Sequence, residues 1–215
     1  MAVSEDRFQR WQSALQTLPL VAILRGVTPE EVVEVGKVLS ECGFRIIEVP
    51  LNSPDPFDSI SALRKGLPEE VIVGAGTVLS AEQVDQCAAA SCELIVSPNF
   101  DSEVASQSAS QAMLYCPGVA TPSEAFSALA AGAHALKFFP AEIIGPAGVK
   151  AMLAVLPEGT VTLPVGGIES TNMQEYLAAG ASGFGIGSSL YQPGLASFEL
   201  ELRARQLAAK FEKIA

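Results

Sequence analysis

The stretch His134–Glu142, HALKFFPAE, decides the fold of this chain and carries its most unusual charge. Residues Ala135–Phe139 are apolar and end at Pro140, which has no N–H to continue a ladder, so they predict a short buried strand. Lys137 lies inside that strand. Burying an ammonium without a partner is costly, a lowered pKa is the usual escape, and a neutral amine attacks carbonyl groups. Lys137 is therefore either a Schiff-base lysine or a structural lysine paired with a carboxylate.

The composition predicts one domain spanning residues 1–215. Hydrophobic residues make up 49% of the chain and charged residues 17%, an apolar excess that favours an oligomer interface. The net charge of −11 disfavours binding to nucleic acid and to anionic membranes. The N-terminus carries early acids and no apolar core typical of a signal peptide, and no run reaches transmembrane length. We expect a cytoplasmic protein.

The cysteines and the single histidine give no sign of a metal site. No cysteine pair has Cys-x-x-Cys spacing, and no histidine lies near them, so zinc binding and thioredoxin-like chemistry are disfavoured. The cysteines are interpreted as small buried hydrophobes in a reducing compartment, and His134 as a packing or surface residue. The cysteines are Cys42, Cys87, Cys92 and Cys116.

A strand followed by a helix recurs along the whole chain. The helices are opened by cap or turn residues, for example Thr28-Pro29 before the first of them, Ser80 before a later one and Pro146 before the helix that follows the sixth strand. Each strand-and-helix unit occupies the roughly 20 to 30 residues expected of a βα unit. The predicted strands are Leu20–Leu24, Arg45–Val49, Val71–Gly74, Leu94–Ser97, Met113–Cys116, Ala135–Phe139, Val161–Val165 and Gly183–Gly187.

Eight such units predict an α/β fold, a (β/α)₈ TIM barrel with an extra N-terminal helix. Several strands are apolar throughout, as in a parallel sheet buried on both faces. No dinucleotide-binding Gly-x-Gly-x-x-Gly follows the first strand, which disfavours an open doubly wound sheet. Within residues 1–18, Phe8, Trp11 and Leu15 recur at helical spacing, so this segment is predicted to form a helix that caps one end of the barrel.

In a barrel the active site forms where the strands end, and the predicted strands deliver polar or glycine residues there. Glu48, in the apolar run IIEVPLN, is a second charge in a strand interior. It either pairs with Lys137 structurally or moves protons while Lys137 attacks a ketone, since desolvation raises the pKa of a carboxyl group. Arg25 ends the first strand and suits a carboxylate ligand, with a salt bridge to Glu48 as the plain alternative.

Two glycine-containing loops follow the seventh and eighth strands. Gly166-Gly167 and Gly187-Ser188 predict a phosphate site, because backbone N–H groups in these loops commonly hold phosphate in such barrels. The alternative is that the glycines only make tight turns. Gly74 to Thr77, Gly-Ala-Gly-Thr, is weaker evidence of the same kind.

Seven motifs follow one another along the chain: VAILRG (21–26), EVPLNSP (48–54), GAGTVL (74–79), CPGVATPSEA (116–125), LKFFPAE (136–142), VGGI (165–168) and GIGSSL (185–190). In this order they resemble the 2-keto-3-deoxy-6-phosphogluconate and 2-keto-3-deoxy-6-phosphogalactonate aldolases, a class I family of this barrel type. The resemblance implies a lyase without metal or cofactor, in which Lys137 forms the Schiff base and Glu48 exchanges protons. It also implies that Arg25 and Thr77 hold the keto acid, and that Gly167, Gly187 and Ser188 hold the phosphate.

Two positions favour the 6-phosphogalactonate branch of this family. The gluconate enzymes often carry an arginine four positions after the glutamate and a threonine before the paired glycines, where this chain has Asn52 and Val165. The expected substrate is thus a phosphorylated 2-keto-3-deoxy sugar acid, 2-dehydro-3-deoxy-6-phosphogalactonate. Alternatives are the gluconate or 4-hydroxy-2-oxoglutarate substrate, a non-covalent phosphosugar epimerase or isomerase, and a catalytically silent binding barrel. Relatives in this family are commonly trimers, so a homotrimer is expected.

Overall fold

The computed structural model describes residues 3–214 and shows an α/β fold in which every strand pair is parallel. The strands are β1 (Leu20–Ile23), β2 (Ile46–Pro50), β3 (Ile72–Gly76), β4 (Leu94–Val96), β5 (Leu114–Cys116), β6 (Gly118–Val119), β7 (Leu136–Phe138), β8 (Thr162–Pro164) and β9 (Phe184–Ile186). The helices are α1 (Glu5–Thr17), α2 (Val32–Glu41), α3 (Pro56–Gly66), α4 (Ala81–Ala89), α5 (Ser102–Ser110), α6 (Pro122–Ala130), α7 (Ala141–Leu153), α8 (Met173–Ala178) and α9 (Ser197–Ile214). No helix among these residues is long and apolar enough to cross a membrane.

The strands form two sheets, in the orders β5-β4-β3-β2-β1-β9 and β6-β7-β8. The fifth predicted strand is present as β5, and the short strand β6, which the sequence did not predict, follows it after Pro117, a residue that cannot donate a ladder hydrogen bond. At one seam the Lys137 N–H donates to the Pro117 carbonyl at 2.9 Å, and at the other Val165 bridges Gly185. The described strands therefore form two curled sheets that meet through isolated bonds, instead of the single eight-stranded ladder that the sequence suggested.

Residues of β1 to β5 that point to opposite faces pack into two separate hydrophobic cores, as the period of a strand requires. Leu20 and Ala22 of β1 belong to the core between strands and helices, whereas Val21 belongs to the core enclosed by the curled sheets. The enclosed core also includes Trp11 from α1.

Helix α1 covers the end of the enclosed core where the strands begin. Its N-cap is Ser4, whose hydroxyl accepts from the Arg7 N–H, and Trp11 and Ala14 are its buried residues. The Arg10 guanidinium donates to the Glu69 carbonyl, just before β3, which ties the helix to this end of the sheet. The predicted N-terminal capping helix is present here. We call this end of the strands the lower end and the opposite one the upper end.

Two helices begin elsewhere than the sequence suggested. Helix α2 starts at Val32 and not near Thr28, because a turn at 29–31 comes first, in which the Val32 N–H already donates to the Thr28 carbonyl. Helix α7 starts at Ala141, before the predicted opening at Pro146, and Gly145 interrupts it with φ 67°. The additional turn lies next to the glycine loop after β8, since the Ala141 N–H donates to the Val165 carbonyl at 2.8 Å.

Candidate active site

Glu48 lies in the middle of β2 and points into the enclosed core, at the level of Ile23 of β1 and Gly74 of β3. It is only 2% exposed, and its Oε2 is buried without a hydrogen-bond partner. Burial raises the pKa of the Glu48 carboxyl above its ordinary value, while the positive charges of Lys137 and Arg25 partly oppose that shift. The structure thus holds a carboxyl group ready to carry a proton.

Space for the Glu48 side chain depends on Gly76, at the end of β3. A Cβ at Gly76 would overlap Glu48 Oε2 and lie 2.6 Å from its Cδ. Real Cβ atoms do not approach other atoms so closely, so any larger residue here displaces the carboxylate. The glycine that the sequence presented as part of a weak turn motif therefore makes room for the acid.

Lys137 lies in β7, paired with Gly118 of β6 and Leu163 of β8, and is 6% exposed. Its Nζ is 4.9 Å from the centroid of the Phe139 ring, a cation–π distance. Within residues 3–214, Lys137 forms no direct ion pair with Glu48. The two charged groups share a cavity without neutralising each other through a direct contact.

That inner cavity is small and mostly apolar. Its volume is about 10 Å³, and Glu48 and Lys137 are its ionisable groups apart from the thiol of Cys116. Since one water needs about this volume, the space below the two charged groups is nearly filled by side chains. The lining residues are Trp11, Val21, Ile23, Glu48, Leu94, Val96, Cys116, Lys137, Leu163, Val165 and Gly185.

A cleft of about 530 Å³ lies above the inner cavity, at the upper end of the strands. Ile23, Val165 and Gly185 line both spaces, so the cleft adjoins the cavity that holds Lys137 and Glu48. A cleft of this size suits a small ligand that is largely buried. The predicted binding residues on its walls are Arg25, Val165, Gly166, Gly167, Gly187 and Ser188.

The glycines that line the cleft have no side chain to cover their backbone groups. Gly166 and Gly167 have φ of 102° and 66°, in the left-handed region that favours glycine. A Cβ at Gly187 would meet nothing within 4 Å, so this residue borders open space. The Asn172 side chain donates to the Gly167 carbonyl at 2.7 Å and fixes the loop. The loops form a concave backbone surface of the kind that binds anions.

Two of the predicted site residues, Arg25 and Thr77, do not line the inner cavity that holds Lys137 and Glu48. Arg25 is exposed, and its Nη1 donates to Asn52 Oδ1 instead of forming a salt bridge with Glu48 in the described part of the chain. Thr77 follows Gly76 but lines neither the cavity nor the cleft. Its φ of 57° is unusual for a threonine, and such backbone outliers concentrate at functional sites.

The sequence did not single out several residues that border the site. Trp11 and Cys116 line the inner cavity, and burial raises the pKa of the Cys116 thiol to about 12. Tyr191 lines the upper cleft, and its hydroxyl donates to Glu31 Oε1 at 3.0 Å. The alternation of inward and outward residues along β5 is the signal that would have identified Cys116. No local pattern marks Trp11 or Tyr191 as neighbours of the site.

Comparison with known sequences agrees with this geometry. Residues 11–200 match the family described as "KDPG and KHG aldolase". A "Probable 2-dehydro-3-deoxy-6-phosphogalactonate aldolase" of Rhizobium meliloti (strain 1021) is 46% identical over 91% of this chain and 92% of the relative. A "2-dehydro-3-deoxy-6-phosphogalactonate aldolase" of Escherichia coli (strain K12) is 46% identical over 93% of this chain and 95% of the relative.

Comparison with solved structures supports the same conclusion. A structure described as "Native KDPGal structure" superposes with a TM-score of 0.90 at 42% identity, covering 92% of this chain and 96% of that one. A KDPG aldolase from Legionella pneumophila, "with pyruvate captured at low pH as a covalent carbinolamine intermediate", has a TM-score of 0.79 at 26% identity, covering 94% and 97%. These matches confirm the predicted α/β fold class and the family resemblance.

Proposed function

Because this chain belongs to the KDPG and KHG aldolase family, we propose that it cleaves 2-dehydro-3-deoxy-6-phosphogalactonate to pyruvate and glyceraldehyde 3-phosphate. It is a lyase of the class I aldolase type. The observation that carries the proposal is the placement of Lys137 and Glu48 in one buried cavity, without an ion pair, below a cleft lined by glycine loops. An amine and a carboxyl group so placed suit Schiff-base formation and proton transfer.

The reaction begins at Lys137. Its uncharged amine adds to the C2 ketone to give a carbinolamine, which takes up a proton and loses water to become a cationic iminium. The iminium draws electrons from the neighbouring C3–C4 bond. The carbinolamine captured with pyruvate in the Legionella pneumophila relative supports this step, because it is the corresponding adduct of pyruvate.

Glu48 then moves the protons. As a carboxylate it accepts the C4 hydroxyl proton, directly or through water, while the C3–C4 bond breaks and its electron pair forms the enamine. Glyceraldehyde 3-phosphate is released. The pyruvate enamine takes up a proton at C3, and water hydrolyses the resulting iminium to free pyruvate and Lys137. A pKa raised by burial brings the carboxyl closer to the pH at which it exchanges protons efficiently.

Residues of the cleft, together with Thr77 outside it, bind the two ends of the substrate in this proposal. Arg25 and Thr77 hold the keto-acid end, and the backbone of Gly166, Gly167 and Gly187, with Ser188, holds the phosphate. Contacts to the phosphate lie far from the breaking bond and supply binding energy that positions the reacting end. Arg25 already lies on the wall of the cleft, held by Asn52.

Val165 is the residue that we propose discriminates between substrates. It is buried and lines both the cavity and the cleft, and its apolar side chain offers no hydrogen bond to a substrate hydroxyl. The decisive assay couples pyruvate formation to lactate dehydrogenase and compares the 6-phosphogalactonate and 6-phosphogluconate substrates and 4-hydroxy-2-oxoglutarate. A higher kcat/KM for the galactonate substrate is expected, and Val165→Thr should reduce that preference. A preference of the wild type for either other substrate would contradict the proposal.

The covalent step has its own test. Borohydride added with pyruvate should irreversibly modify the wild type, and mass spectrometry of peptides should locate the adduct at Lys137. Lys137→Ala should not be modified and should lose activity by several orders of magnitude, whereas Lys150→Ala, at an exposed lysine on α7, should behave as wild type. Activity that persists in Lys137→Ala would instead support a non-covalent epimerase or isomerase.

We also propose that the enzyme acts as a homotrimer in the cytoplasm. The apolar composition supports an interface between copies, and large apolar side chains are exposed, with Ile143 at 78% and Phe198 at 70%. The net charge of −11 disfavours a nucleic-acid partner. Light scattering during size-exclusion chromatography should give three times the chain mass, and a monomer or dimer mass would refute this assembly.

A further inference from the structure

The inner cavity joins the two ionisable groups of the proposed reaction to a residue of the N-terminal helix. Trp11 of α1 lines the same cavity as Lys137 and Glu48, although it enters from the opposite end of the strands. Its side chain is buried, at 2% exposure. The lower boundary of the space occupied by the reacting groups is therefore an indole ring, and not the strands alone.

Helix α1 is held firmly in this position. Arg10 donates to Glu93 Oε1 at 2.6 Å and to the Glu69 carbonyl at 2.8 Å, and Arg7 donates to the Ala112 carbonyl at 2.6 Å. These partners precede β3, β4 and β5 at the lower end. The helix is thus fixed to three successive strands, which keeps the indole across the opening that they surround.

We infer that Trp11 is a positioning residue of the enzyme, whose indole closes the lower end of the cavity so that water and substrate reach Glu48 and Lys137 only from the upper cleft. This inference rests on the proposed function. It adds that the site is closed at its lower end by a residue that does not contact the substrate. A buried carboxyl group responds to such a closure because its charged form is stabilised by any water that reaches it.

The chemistry of the cavity decides what happens when the indole is removed. A purely apolar cavity stays dry even when it is large, but water enters a cavity that offers it polar partners. This cavity contains the amino group of Lys137 and Glu48 Oε2, which has no hydrogen-bond partner among residues 3–214. Removing the indole would therefore admit water from below, and the ionised form of Glu48 would become less costly.

The charged and titratable groups around Glu48 come from identified elements. Lys137 of β7 and Arg25 after β1 act on it, and the Cys116 thiol of β5 lies close enough to interact with both Glu48 and Lys137. The arginines of α1, Arg7 and Arg10, are within ion-pair distance of Glu93 instead. A substitution at Trp11 consequently changes hydration around Glu48 without removing a charge that acts on it.

The experiment follows the titration of the Glu48 carboxyl by ¹³C NMR in the full-length protein, with the signal assigned by its loss in Glu48→Gln. Trp11→Ala should lower that pKa by about one unit, towards the ordinary value of a glutamate. Trp11→Leu keeps more apolar volume than Trp11→Ala and should lower the pKa of Glu48 less. The leucine variant also provides the test if Trp11→Ala does not fold. Trp11→Phe should stay near wild type. The pH at which kcat is half its plateau should move in the same direction.

The control is Phe211→Ala, which removes a buried aromatic ring of α9 that packs on Phe184 and lines neither the cavity nor the cleft. It should reduce stability without moving the Glu48 titration. Equal shifts in Phe211→Ala and in the Trp11 variants, or no shift in Trp11→Ala and Trp11→Leu, would overturn the inference. A failure of the proposed function has a different signature, since pyruvate would not form from any of the sugar acids although the carboxyl titration still responded to Trp11.

Discussion

Two buried glutamates, one below the strands and one within them, show how different the surroundings of the same side chain can be. Glu93, before β4 at the lower end, is 5% exposed and receives Arg10 at 2.6 Å, Arg64 at 2.8 Å and the Val73 N–H at 3.3 Å. Glu48, in the middle of β2, is 2% exposed, and its Oε2 has no hydrogen-bond partner among residues 3–214. The two side chains are buried to nearly the same degree, but the Glu93 carboxylate is bonded to two arginines and a backbone N–H, whereas Glu48 Oε2 has no such bond within residues 3–214.

Under the proposed mechanism, this difference separates a structural carboxylate, Glu93, from a proton-transferring one, Glu48. A buried carboxylate surrounded by guanidinium groups and a backbone donor is fixed in its ionised form and in one orientation. A buried carboxyl group that lacks such partners costs stability, and that cost is tolerated where the group has a chemical task. Lys137 and Arg25 influence Glu48 through space, which leaves the carboxyl free to exchange protons.

Among the substitutions that test the difference between the two glutamates, Glu48→Gln should have the largest effect. The amide keeps the shape of the side chain but cannot accept a proton, so kcat should fall about 10² to 10⁴-fold. Trapping of pyruvate on Lys137 by borohydride should persist, because nucleophilic attack does not require the carboxyl group to remain. Steady-state kinetics and mass spectrometry give the two readouts. Wild-type turnover in this variant would remove Glu48 from the mechanism.

Glu93→Gln should give the reverse result. Removing the negative charge leaves the partly buried guanidinium group of Arg64 without its counter-charge in the described part of the chain, while Arg10 keeps only the exposed Asp6 as an ion-pair partner. Breaking a buried pair in this way costs about 3 to 5 kcal/mol. Urea denaturation should show this loss of unfolding free energy, while kcat of the folded fraction stays near wild type. A strong loss of kcat at unchanged stability would mean that the two glutamates are not functionally distinct.

Gly76→Ala tests whether the room left for Glu48 matters. The added methyl group overlaps the Glu48 carboxylate, and a displacement of about 1 Å in a reacting group can cost about 10²-fold in rate. A double-mutant cycle with Glu48→Ala gives the control, since the methyl group should cost much less once the carboxylate is absent. Equal losses in both backgrounds would show that Gly76 acts independently of Glu48.

The smallest effect concerns how stability depends on pH. Burial raises the pKa of Glu48 above its ordinary value of 4.5, so the folded protein binds this proton more tightly than the unfolded chain does. The contribution to stability is complete below the ordinary pKa and is lost as pH rises through the raised one. Relative to Glu48→Gln, the wild type should therefore lose up to about 1.4 kcal/mol of unfolding free energy per pH unit in that window. Urea denaturation of both proteins across the window measures it, and parallel curves would contradict a raised pKa.

Much of the site was predictable because its signals are local. Lys137 and Glu48 are charges inside apolar runs, and Pro140 and the glycine pairs mark where strands end. Since the ends of parallel strands meet at one edge, the sequence predicted that these residues would come together, and the structure places both charges in one cavity. The sequence did not predict the short strand β6 after Pro117, nor that the strands form two sheets that meet through isolated bonds.

The sequence by itself determined the order of strands and helices, the family, and the presence of two unusual charges, because periodicity, chain breakers and motifs are properties of neighbouring residues. Only the tertiary structure decided that Glu93 is paired while Glu48 is not, that Gly76 makes room for the carboxylate, and that Trp11 reaches the underside of the site. The physical reason is that pairing and desolvation depend on groups brought close by strand register and helix packing, at separations along the chain that no local pattern records.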